Sequence, residues 1–204
     1  MLRCGTFPVR EALFLVGQLD IPMRISCFDT PERYGRVSRV LHGAMALLLT
    51  VQLLGALLHV FARGVSLERL LWSNHGSLGF LLLLLAVLRG TWGLVNIGRR
   101  PLHTGVLGRL AGVGHLLMHA LMILVPFLAV LRAYGRGRGF SPFGMPLFEA
   151  SGQEIPALIT PASTFHGLLA WVLLALIVGH VGAAVYHRVI LKDGVFSRMW
   201  GRAY

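Results

Sequence analysis

The sequence predicts an all-α membrane protein, a four-helix transmembrane bundle, and three observations predict it. Hydrophobic types make up 55% of the 204 residues and charged types only 13%, about half the roughly 25% of an ordinary soluble domain. The apolar residues gather into four runs, each near the ~20 residues that cross a hydrocarbon core. Period-2 alternation is absent, so a membrane β-barrel is not supported.

The first span runs from about Val40 to Phe61 and the second from about Leu71 to Val95. The third covers about Leu110 to Leu131 and the fourth about Ser163 to Ile190. Inside a bilayer each must be helical, because no water is present to satisfy open backbone groups. Pro126 lies in the third span and is expected to kink it. Residues 35–204 thus form one four-helix transmembrane unit. Residues 1–34 read as an N-terminal extension, either disordered or an artefact of the assigned start. Its apolar patch VREALFLVGQL is too short to span and no small-residue cleavage site follows. Met23, followed by a compact basic lead-in, is the expected native start. Cys4 and Cys27 both precede the first span. Without a Cys-x-x-Cys-His motif, neither covalent haem attachment nor a cysteine zinc site is supported.

The charge is lopsided: 19 Lys+Arg against 8 Asp+Glu, net +11, with Lys192 the single lysine. A nucleic-acid binder needs a basic face on a soluble fold. Here the arginines sit between apolar runs, so membrane lipid is the expected surround and no nucleic-acid partner is expected. Six arginines precede the first span, three occupy the loop between spans two and three, and four basic residues lie in the tail. The opposite side holds Arg63, Arg69, Arg132, Arg136 and Arg138. By the positive-inside rule both termini are cytoplasmic, and the loop from Arg132 to Ala162 is outside.

Histidine is the informative residue type, with nine copies. Ionisable groups at membrane depth are costly and mostly functional. His166 and His180 are 14 residues apart, within about 40° of one helix face and about 21 Å apart along the axis. Two ligands so placed suit two stacked haems, each needing one further histidine at matching depth. His75, near the outer end of the second span, pairs with His166; His42, near the inner start of the first, pairs with His180. The bundle is therefore expected to enclose two b-type haems, and two axial imidazoles leave each iron to electron transfer. Gly43, Gly76, Gly79, Gly167, Gly179 and Gly182 flank these positions, where a flat macrocycle needs small neighbours. Arg89 interrupts the second span 14 residues after His75. No acidic residue lies in a span core, so a haem propionate is its expected partner.

Other histidines compete. His187 shares the face of His180 but would set the two ligands of the fourth span about 31 Å apart, which favours His180. His59 is expected near the interface and His103 in a loop. His115 and His119 share one face of the third span, suited to a quinone, a propionate or plain interhelical bonding. No Glu or Asp accompanies them as a metal ligand.

Four stretches, RYGRVSRVLHG, NHGSLGFLLLLLAVLRGTWGL, GHLLMHALMILVPFLAVLRAYGRG and FHGLLAWVLLALIVGHVGAAVYHRVILKDG, resemble the bacterial cytochrome b561 family. The resemblance implies haem ligation by His42, His75, His166 and His180 and a haem-facing Arg89. It further implies a superoxide:ubiquinone oxidoreductase, with ubiquinone reduced in the membrane and superoxide oxidised outside. The outer loop supplies a physical reason, since Arg132, Arg136 and Arg138 would attract a small anion. The rest of that loop is too apolar for a free linker and is expected to cover the outer haem or edge a quinone pocket. Two rivals remain at this stage. One is a cytochrome subunit relaying electrons from a partner redox subunit, a dehydrogenase or hydrogenase, to quinone. The other is a haem-free scaffold whose histidines join helices.

Overall fold

The computed structural model describes residues 26–101 and 105–200. The proposed start at Met23, Cys4 and His103 lie outside these residues. The helices are α1 (Arg36–Phe61), α2 (Ser66–Ser73), α3 (His75–Val95), α4 (Gly105–Gly135), α5 (Pro156–Tyr186) and α6 (Ser197–Trp200). A wider turn, His187–Leu191, continues α5. No strand forms among the described residues; a single bridge joins Phe140 and Phe148. Helices α1, α3, α4 and α5 are each long and apolar enough to cross a membrane, so the expected four-helix membrane bundle is the fold.

The second apolar run is two helices rather than one. Asn74 separates α2 from α3, and its side-chain amide donates back to the Leu70 carbonyl at 2.9 Å. Leu70, Leu71 and Trp72 keep the run apolar up to this break, so hydropathy does not register it. Helix α5 starts earlier than expected, at Pro156, since proline costs nothing in a first turn whose amides have no helical partner. Pro126 sits inside α4 and Pro161 inside α5.

Along α5, the sequence His166, Leu173, His180 repeats every seven residues and so keeps one face. Leu173 is 4% exposed and packs with Met45, Ala86, Met118, Leu121 and Met122. This apolar layer fills the bundle middle, between the two histidine levels. The outward faces carry large exposed apolar side chains, such as Leu107 at 82% and Phe61 at 74%, the expected surface toward lipid.

One end of the bundle carries the segment before α1 and the tail. There the buried Asp29 carboxylate accepts from the Gly35 amide at 2.9 Å and the Ser38 hydroxyl at 2.6 Å. Arg100 Nε donates to its second oxygen at 3.2 Å. Trp92 Nε1 donates to Ser38 at 3.0 Å, and Arg39 Nε donates to the Met199 carbonyl at 2.7 Å. Residues 26–34, assigned by sequence to the extension, therefore pack against α1 and the end of α3. The opposite end carries the long loop. Its Phe140 amide donates to Phe148 and its Gly152 amide to Gly137, at 3.0 and 3.1 Å. Gly137 has φ +62, and a side chain there would strike the Gln153 backbone. The Phe143 amide donates to Ser77 Oγ at 3.3 Å, which ties the folded loop to α3.

Candidate functional site

The four histidines singled out by spacing meet in two pairs. His42 of α1 faces His180 of α5 with ring centres 6.3 Å apart and planes crossed at 76°. His75 of α3 faces His166 of α5 at 6.5 Å and 78°. A metal held between two imidazole nitrogens at about 2 Å each sets the ring centres about 6 Å apart, so both spacings fit. No group of three or more His, Cys, Asp or Glu side chains suited to a metal exists among the described residues. Two opposed ligands do not hold a bare tetrahedral ion. They do suit a metal that brings four in-plane ligands of its own, as haem iron does.

Space is present beside the second pair. A cavity of about 530 Å³ is lined by His75, His166, Gly76, Gly79, Gly167 and Arg132, and its mouth by Arg136, Arg138 and Phe140 of the loop. That volume falls in the range of cofactor pockets, roughly 300–1,000 Å³. Gly167 faces open space, since a side-chain carbon there would meet nothing within 4 Å, whereas one at Gly79 would come within 3.2 Å of Gln52. The loop thus folds over the cavity end that holds His75 and His166. His166 Nδ1 lies 2.8 Å from the Val125 carbonyl. This bond assigns the proton to Nδ1 and leaves Nε2 with its lone pair.

Each pair has one arginine from a neighbouring helix. Arg89 lies within electrostatic reach of His42, His180 and His119. Arg132 lies within reach of His75 and His166. No ion pair to Arg89 forms among the described residues. Asp29, the nearest acid to influence it, already bonds Arg100. A half-buried guanidinium in this setting calls for an anion.

The remaining histidines separate by position. His115 approaches His180, with ring centres 4.9 Å apart, and its Nδ1 bonds the Ala111 carbonyl at 2.7 Å. His119 sits against Gly90, where a side-chain carbon would come within 2.7 Å of Nε2. His187 bonds Asp193 at 2.6 Å, which holds the Asp193 carboxyl below its ordinary range. His59 stacks flat on Trp72 and bonds Glu68 at 2.8 Å. That group borders the cavity and was not singled out by sequence. The missed signal was available: residues 42, 45, 49, 52, 56 and 59 follow the three–four spacing of one inward helix stripe.

Four apolar helices with opposed imidazoles in the interior define a class, the membrane cytochromes that carry haem between helices. The sequence model of the prokaryotic cytochrome b561 family matches residues 33–202, and the chain belongs to that family. It is 27% identical to cytochrome b561 homolog 2 of Escherichia coli K12 over 190 residues, covering 88% of this chain and 97% of that protein. It is 33% identical over 94 residues to cytochrome b561 homolog 1 of the same organism, covering 45% and 52%. It is also 32% identical over 90 residues to the probable superoxide oxidase CybB of Yersinia pestis, covering 44% and 51%. The chain is thus a bacterial-type membrane cytochrome, and b-type haem is the cofactor class of its family.

Proposed function

We propose that this cytochrome binds two b-type haems and carries electrons from superoxide at one membrane face to ubiquinone. His42 and His180 would hold the inner haem, and His75 and His166 the outer one. The observation that carries the two-haem reading is the two pairs of opposed imidazoles, at 6.3 and 6.5 Å, on two levels of one bundle. Bound haem supplies reversible one-electron exchange, and the protein supplies ligation, spacing and charge. The Val125 carbonyl holds His166 in one tautomer. Arg89 and Arg132 offer positive charge to the propionates at the two levels.

Arg136 and Arg138, with Arg132 behind them, border the outer cavity and favour the approach of a small anion. Each ubiquinone takes two electrons and two protons, so two superoxide ions leave as dioxygen for each quinol formed. His115, exposed and 4.9 Å from His180, is the group proposed to meet the quinone or a propionate. In this reading both termini face the cytoplasm.

The test begins with the purified protein under anaerobic stopped flow. Superoxide added to the oxidised form is expected to raise the reduced b-type absorption band, and quinone is expected to reverse it. Absence of superoxide-dependent haem reduction would sink the enzymatic claim while leaving the cytochrome intact. A redox subunit co-purifying in equal amount would instead favour the role of an electron relay for that partner.

A further inference from the structure

A column of side chains stands behind His75, and the electron-transfer reading does not use it. Glu68, in α2 and outside the spans, is 5% exposed. Its Oε1 lies 2.8 Å from His59 Nδ1, and its Oε2 accepts from the Gly64 amide at 3.2 Å. The His59 ring lies flat on Trp72, with centres 3.6 Å apart and planes within 3°. Trp72 in turn leans on His75, at 4.6 Å and 34°. The other side of His75 faces His166.

The two imidazoles of this pair are held in different ways. His166 is fixed by its bond to Val125. His75 Nδ1 is buried and has no hydrogen-bond partner among the described residues. A metal-ligating histidine almost always fixes its ring through that second nitrogen. Gln52 Nε2 donates to the His75 backbone carbonyl at 2.9 Å rather than to the ring, and Trp72 is the aromatic group packed on the ring itself. Trp72 is itself 39% exposed and would swing freely without the flat stack on His59. Glu68 anchors that stack at the edge of the His59 ring, through its bond to Nδ1.

We infer that Glu68, His59 and Trp72 form a positioning device that sets the ring direction of His75, and through it the properties of the outer haem. This inference rests on the two-haem reading. The device takes the place of a hydrogen bond by stacking, so the ring plane is held while the Nδ1 proton stays unshared.

The experiment uses the full chain with haem bound, in detergent. Crossed imidazole planes give a more anisotropic low-spin EPR signal than parallel ones, so ring direction is readable apart from turnover. Trp72→Leu is expected to move the outer-haem signal and its midpoint potential, and to speed haem loss from that level roughly tenfold. The inner-haem signal is expected to stay in place. Trp72→Phe is expected to restore the wild-type signal, and Glu68→Gln to move it in the same direction as Trp72→Leu by a smaller amount. Should Trp72→Leu not fold, Glu68→Gln alone decides. An outer signal and potential unmoved in Glu68→Gln, or both haems moved equally, overturns the proposal. Failure of the two-haem reading would show separately, as fewer than two haems per chain in the wild type.

Discussion

His180 and His187 are seven residues apart on one helix face, yet their surroundings divide them. His180 looks across the bundle at His42, whereas His187 bonds Asp193 in the turn beyond α5. The expected outcome of His180→Ala is loss of one of two haems, read from the pyridine haemochrome. His187→Ala is expected to retain both; loss of a haem there would transfer the ligand role. Gly90 is the second decisive position, because only a missing side chain lets His119 lie against α3. Gly90→Ala is expected to cost about 1–3 kcal/mol through overpacking, measured as a lower melting temperature in detergent. The shared face of His166 and His180 was legible in the sequence from the helical period, whereas the inward stripe that carries His59 went unread. His119 Nε2 against Gly90 was not legible, because that approach depends on how closely α3 and α4 pack.

At the scale of elements, the ends of the bundle are held by polar groups rather than by hydrophobic packing. Asp29 joins the segment before α1 to α1 itself and to Arg100 beyond α3. Asp29→Ala leaves these donors without their acceptor, at an expected cost of about 1–3 kcal/mol. Faster proteolysis within residues 26–35, with haem absorption retained, is the matching observation. Glu68 holds α2 to the end of α1. The His59 imidazole, and then the Gly64 amide, keep its carboxyl below the ordinary carboxylate range. A depressed carboxyl pKa contributes stability that is complete above the unfolded value and lost as pH falls through the folded one. The cap of α2 is therefore expected to stand at neutral pH and to loosen only in acid, followed by Trp72 fluorescence against a Glu68→Gln control. Sequence patterning missed α2 because its last apolar residues continue into α3, and a one-residue interruption at Asn74 leaves hydropathy unchanged.

The whole molecule is a four-helix membrane cytochrome with two histidine levels separated by a packed apolar layer. If superoxide is the donor, its encounter rate is governed by the field at the loop end. Replacing Arg136 and Arg138 with glutamine is expected to lower that rate at low salt by up to about tenfold and to flatten its ionic-strength dependence. An unchanged salt profile would remove those arginines from the entry path. Composition and run length alone determined that this chain crosses a membrane four times by helices, because hydrocarbon accepts only self-satisfied backbone. The 3.6-residue period likewise determined that His166 and His180 share a face at two depths. The tertiary structure decided what stands opposite each residue: His42 across from His180, His115 beside it, and Trp72 at the back of His75. Helical period is a property of one strand of sequence, whereas opposition depends on how separate helices rotate and pack, which no local pattern encodes.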